Sequence, residues 1–104
     1  MEIISEKNFE EKVGKGVVLV DFFANWCGPC RMMGPILEEV KEELGDKVEI
    51  FKVDVDEDNK LARKFAVMSI PSMFIFVDGQ EQEKHIGLWA KKDVVDTLNK
   101  YIKK

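Results

Sequence analysis

The chain holds only two cysteines, and they stand three apart in the stretch "ANWCGPCRMM", residues 24–33. That spacing admits three chemistries: a structural bridge, part of a metal site, or a dithiol–disulfide redox couple. A bridge across one helical turn closes a very small loop and constrains the unfolded chain little. A tetrahedral zinc or an iron–sulfur cluster asks for about four ligands. The chain offers Cys27, Cys30 and one distant histidine, His85, so a metal would need a second chain. A redox couple asks instead for two unequal thiols, one that attacks as thiolate and one that resolves the mixed disulfide.

The flanking residues supply that inequality. "VVLVDFFA", residues 17–24, is apolar on both parities except for Asp21, the pattern of a central strand buried on both faces. It passes through Asn25 and Trp26 directly into a helix that carries Cys30. Cys27 therefore falls at the helix N-terminus, where unpaired backbone N–H groups and the positive dipole end favour a thiolate. Cys30 lies one turn on and begins the inward stripe Cys30, Met33, Leu37, Val40. The expectation is an exposed, acidic Cys27 and a buried, less acidic Cys30. Gly28 and Pro29 between them add no positive charge, and proline suits a rigid first helical turn. A histidine there would stabilise the thiolate and make an oxidant, so this pair is expected to act as a reductant. Asp21, a lone carboxylate in a buried strand, is costly and should have a raised pKa. It is either a satisfied structural group or a proton acceptor.

Other elements must position this stretch. A short helix is expected over residues 8–13, with Asn8 and Glu11 as a capping-box-like pair and Gly14 and Gly16 ending it. "VEIFKVDV", residues 48–55, reads as a second buried strand and "MFIFV", residues 73–77, as a third. Asp78-Gly79 is a hairpin turn signal, and the returning edge strand runs to Ile86. The stripe Met33, Ile36, Leu37, Val40, Leu44 marks a long helix, with a kink expected at Pro35. Residues 60–66 form a shorter helix capped by Asp58 or Asn59, and Val94, Val95, Leu98 and Ile102 line a last one. Strands alternating with helices, closed by a hairpin, give an α/β domain over residues 1–104 with a central mixed β-sheet flanked by helices on both faces.

Composition removes several function classes. Of the 104 residues 45% are hydrophobic and 35% charged, with net charge −4 and signs interspersed, so no basic face for nucleic acid is expected. "DVDEDNKLARKF", residues 54–65, lacks the glycine an EF-hand loop needs at its sixth position. No apolar run is long enough to span a bilayer, and the start, "MEIISEKNFEEKV", has no apolar signal core. A cytoplasmic protein is expected, where a close cysteine pair is catalytic or metal-binding more often than structural.

"VDFFANWCGPC", followed by "PIL", "KVDVDE", "SIPS" and "GLW" at their intervals, resembles the thioredoxin family over essentially the whole chain. The resemblance implies the thioredoxin fold and a general protein-disulfide reductase, a monomer with no bound cofactor. Its partners would be disulfide-containing clients and a thioredoxin reductase, a flavoprotein supplying electrons from NADPH (from ferredoxin in some relatives). It implies Cys27 as nucleophile and Cys30 as resolving thiol. Asp21 becomes the proton acceptor for Cys30, acting through water, and Lys52 the lysine that pairs with this acid. Pro71 would be cis, beside the disulfide, its loop offering main-chain groups to an extended client peptide and leaving no room for a metal. Trp26, Gly28, Pro29, Ile70 and Gly87 would form a flat apolar contact surface. The chain departs from the family at Phe23, where tryptophan is frequent, at Ser72, where threonine is commoner, and at Met68 and Leu88 beside the contact surface. His85 reads as an ordinary strand residue.

Overall fold

The computed structural model describes residues 1–103. The strand β2 (Val17–Phe23) takes the middle of a five-stranded sheet because both of its faces are apolar. The remaining elements are β1 (Glu2–Ile3), α1 (Phe9–Val13), α2 (Gly28–Leu44), β3 (Glu49–Asp54), α3 (Asn59–Lys64), β4 (Ser72–Val77), β5 (Gln80–Ile86) and α4 (Lys91–Ile102), with a 3-10 turn at Gly45–Lys47. The sheet order is β1-β3-β2-β4-β5. β1, β3 and β2 run parallel, and β4 and β5 antiparallel, so the sheet is mixed as expected.

Alternation along β2 divides the core in two. Val18, Val20 and Phe22 meet Phe9, Leu61, Phe74 and Phe76 on the side of α1 and α3. Leu19 meets Met33, Leu37, Val94 and Leu98 on the side of α2 and α4. Leu19, Leu37 and Leu98 are fully buried, and each stabilises the fold by roughly 1.5–3 kcal/mol before entropy. The aromatic side is interlocked: Phe65 lies 5.1 Å from Phe9 and 5.5 Å from Phe74 between ring centroids.

The hairpin forms where expected. Asp78 and Gly79 have φ of 49° and 85°, the left-handed pair a two-residue hairpin turn requires. Asp78 also ties the turn to the start of β2, its Oδ1 accepting from Gly16 N at 2.8 Å. The cap of α3 is Asp58, whose side chain accepts from Leu61 N. α2 continues unbroken through Pro35.

Two expectations need correction. The strand β1 was not anticipated; it adds to β3 through Glu2 and Ile3 alone. The capping-box pair at α1 is absent. Asn8 makes no side-chain cap bond there, because its Oδ1 accepts from Ser5 N at 2.9 Å and holds the preceding turn instead.

Candidate active site

β2 ends at Phe23, and the chain turns through residues 24–27 into α2. Cys27 N donates to Ala24 O at 3.2 Å, closing that turn. Arg31 fastens it from the helix side, with Nε and Nη2 donating to Asn25 O at 3.1 and 3.0 Å. Cys27 is the N-cap of α2, with Pro29 in the first turn. Its Sγ accepts from Cys30 N at 3.2 Å. A helix N-terminus thus points a backbone donor at this sulfur, which favours negative charge on it. Cys27 and Cys30 are disulfide-bonded, with Cα atoms 5.2 Å apart.

The two sulfurs are less different in exposure than expected. Cys30 is 3% exposed and Cys27 only 5%, so the exposed Cys27 of the sequence reading is corrected. Cys27 packs with Phe23 and Ala24 and against Ile70, and its Sγ lies 3.8 Å from Ile70 O. The loop before β4 roofs it. Exposure falls instead on the neighbours Trp26, Gly28 and Pro29.

That loop carries the cis peptide bond, Ile70–Pro71. Pro71 is buried and Ile70 half-buried. The Ser72 hydroxyl donates to Ser69 O, bracing the loop from within. Gly87 N donates to Pro71 O at 2.8 Å, so Gly87, with φ of +91°, stands beside the proline. The structure brings Cys27, Ile70, Pro71 and Gly87 into one continuous patch. Trp26 is 69% exposed and is anchored at its far edge, where Nε1 donates to Asp56 Oδ2 at 2.8 Å.

Asp21 lies on the same side of β2 as Leu19 and Phe23, two residues from each, and so faces α2. Its residue is fully buried, and neither carboxyl oxygen has a hydrogen-bond partner among the described residues. Burial pushes its pKa up to about 7, and the Lys52 charge opposes part of that rise. Lys52 pairs with Asp21 in strand register. Its ammonium rests over the Phe23 ring, 4.1 Å from the centroid. A small cleft of about 110 Å³ opens between Phe23, Asn25, Cys30, Arg31 and Lys52. It is polar enough and large enough to admit water beside Cys30.

The sequence reading missed the partners of the site residues: Asp56 for Trp26, Phe23 for Lys52, and Met33 Sδ, which accepts from Trp89 N at 3.3 Å. It also took His85 as ordinary. Its ring stacks on Trp89 at 4.4 Å and bonds Leu88 O at 2.9 Å. Spacing alone signals none of these, since each joins separate elements or an irregular turn. Among the described residues, no group of three His, Cys, Asp or Glu side chains is disposed to hold a metal ion. No helix among them is long and apolar enough to cross a membrane.

A helix-capped sulfur bonded to its neighbour one turn away can open and close by exchange with other disulfides. A protein organised around it is a thiol–disulfide oxidoreductase. The Thioredoxin family model matches residues 1–100. Thioredoxins from Listeria monocytogenes and Bacillus subtilis are 46% and 43% identical to it. Those matches cover 95% of this chain and 96% of the first relative, and 94% of both chains for the second. A solved mutant thioredoxin from Halobacterium salinarum has a TM-score of 0.89 at 31% identity, covering 98% of this chain and 89% of its own. A thioredoxin from Malassezia sympodialis gives 0.87 at 33%, covering 97% and 92%. The chain belongs to the thioredoxin family, and its activity is protein-disulfide reduction through Cys27 and Cys30.

Proposed function

We propose a division of labour within the site. In the reduced protein the Cys27 thiolate attacks one sulfur of a client disulfide. The Cys27–client bond forms, the client S–S bond breaks, and one client thiolate leaves. Cys30 then gives its proton to Asp21 through water and attacks Cys27 Sγ. The second client thiolate leaves, and two electrons have passed to the client. The product is the bonded pair. Lys52 supports the charged form of Asp21. The Pro71 loop offers main-chain groups to an extended client strand. Trp26, Gly28, Pro29, Ile70 and Gly87 supply a flat apolar contact with little side-chain specificity.

The observation that carries this reading is the Cys30 N to Cys27 Sγ bond at 3.2 Å, which puts the helix N-terminus on one sulfur of the pair and not on the other. Re-reduction falls to a flavoprotein thioredoxin reductase drawing on NADPH, with no cofactor held by this chain. A reductant is useful where glutathione keeps thiols reduced, so the proposed location is the cytoplasm. Residues 1–104 are proposed to act as one domain and as a monomer. The test is trapping. Cys30→Ser should accumulate a mixed disulfide between Cys27 and a client, and Cys27→Ser should neither react nor turn over. Turnover by the Cys27→Ser protein would overturn the assignment.

A further inference from the structure

β5 ends at Ile86 and α4 begins at Lys91, leaving residues 87–90 to bridge them. Buried or half-buried backbone groups in such a connection need partners. Gly87 N donates to Pro71 O. Ala90 O accepts from Val94 N in the first turn of α4. The other two anchors come from side chains. Trp89 N donates to Met33 Sδ, on the helix that begins at Cys27. Leu88 O is met by His85 Nε2 at 2.9 Å. A carbonyl oxygen only accepts, so Nε2 carries the proton and donates. The same imidazole lies flat on the Trp89 indole, 4.4 Å between centroids with planes 9° apart. One side chain therefore holds two successive residues of the connection.

What the connection displays is apolar. Ile86 is 56% exposed and Leu88 48%, on either side of Gly87, which touches the cis-proline loop. We infer that His85 is a positioning residue for client binding: through Leu88 O and Trp89 it holds the turn so that Ile86 and Leu88 extend the apolar contact beside Pro71 to an extended client peptide. This rests on the client-binding role given above to the Pro71 loop. A turn released from His85 would still leave Cys27 capped by α2, because no contact in that cap involves residues 85–90. The consequence falls on client affinity and leaves exchange with a small disulfide alone.

The experiment compares two oxidants on the full chain, insulin as a protein disulfide and a small aryl disulfide as a groove-independent reporter. His85→Ala is expected to raise KM for insulin about fivefold, the scale of one lost hydrogen bond, with the aryl disulfide rate unchanged. It should also speed hydrogen exchange at the Gly87 amide. His85→Gln, which keeps a donor of similar reach, should recover part of the insulin KM. His85→Phe, which keeps the ring and loses the donor, provides the same comparison should the alanine chain fail to fold. An unchanged insulin KM, an equal loss on both oxidants, or unchanged Gly87 exchange would overturn the inference. A wild-type chain that reduced neither oxidant would overturn the reductase reading instead.

Discussion

Asp21 and Lys52 stand opposite one another on adjacent parallel strands, yet the Lys52 ammonium lies over the Phe23 ring and neither Asp21 oxygen has a hydrogen-bond partner among the described residues. The acid is thus buried with its charge only partly offset. Its pKa sits at about 7 against an ordinary 3.8. A carboxyl so placed takes and returns a proton easily, which suits the proposed role of accepting one from Cys30.

This placement makes stability depend on pH with a definite sign. The folded chain keeps a proton on Asp21 that the unfolded chain releases above its ordinary pKa. Asp21 therefore carries no charge penalty below 3.8, and stability is lost as pH rises through the interval from 3.8 to about 7. Asp21→Asn should remove that loss, stabilising the oxidised protein at pH 8 by up to about 4 kcal/mol and much less at pH 4. Denaturant unfolding of both proteins at the two pH values checks it. An equal difference at both would contradict it.

Lys52 should set where catalysis fails in acid. Its charge lowers the Asp21 pKa, so Lys52→Met should raise it further. The acid limb for resolution of the mixed disulfide then moves to higher pH, and the step slows severalfold at neutral pH. Single-turnover resolution followed against pH reads this directly. A limb that stayed in place or moved to lower pH would show that Lys52 acts on something other than Asp21.

Trp26 is held by a contact that the fold itself hardly needs. The Nε1 bond to Asp56 is exposed, so Asp56→Ala should change stability by less than about 0.5 kcal/mol. It should nevertheless free the indole and raise KM for protein clients about threefold, with Asp56→Asn, which keeps an acceptor, near wild type. Equal losses for alanine and asparagine would place the effect elsewhere.

Asp58 offers the opposite case, a residue away from the sulfurs whose loss should be felt in folding alone. Oδ1 accepts from Leu61 N at 3.0 Å and Oδ2 from Glu6 N at 2.7 Å. Asp58→Ala removes the cap of α3 and its tie to the N-terminal segment together. It should cost about 1–2 kcal/mol in thermal or denaturant unfolding while leaving the redox equilibrium of the cysteines unmoved.

Much of this architecture could be read from local pattern, because the physics there is local. The doubly apolar run ending at Phe23, the stripe from Cys30 to Val40 and the Asp78-Gly79 turn each carry their conformation in adjacent residues. The position of Cys27 at a helix start follows from the first two. What escaped lies between segments. β1 is too short to show alternation and exists through its pairing with Phe51 and Lys52. Cys27 is buried because Ile70, distant in sequence, roofs it. Asn8 has the right identity and spacing for a cap, but the preceding turn claims its oxygen. His85 sits in a plain charged strand, and its role comes from where the chain bends after Gly87. Asp21 was legible as a raised acid from burial and Lys52 as its neighbour through the family resemblance, but the seat of the Lys52 ammonium on the Phe23 ring was not.

The measurement that bears most directly on the central claim is the redox equilibrium of the Cys27–Cys30 pair, titrated against glutathione and dithiothreitol and followed by thiol labelling. The expected result is a couple well to the reducing side of glutathione, able to drive electrons into client disulfides. A couple at or above glutathione would contradict the reductant reading of the Gly28-Pro29 pair and place this site with oxidases or isomerases.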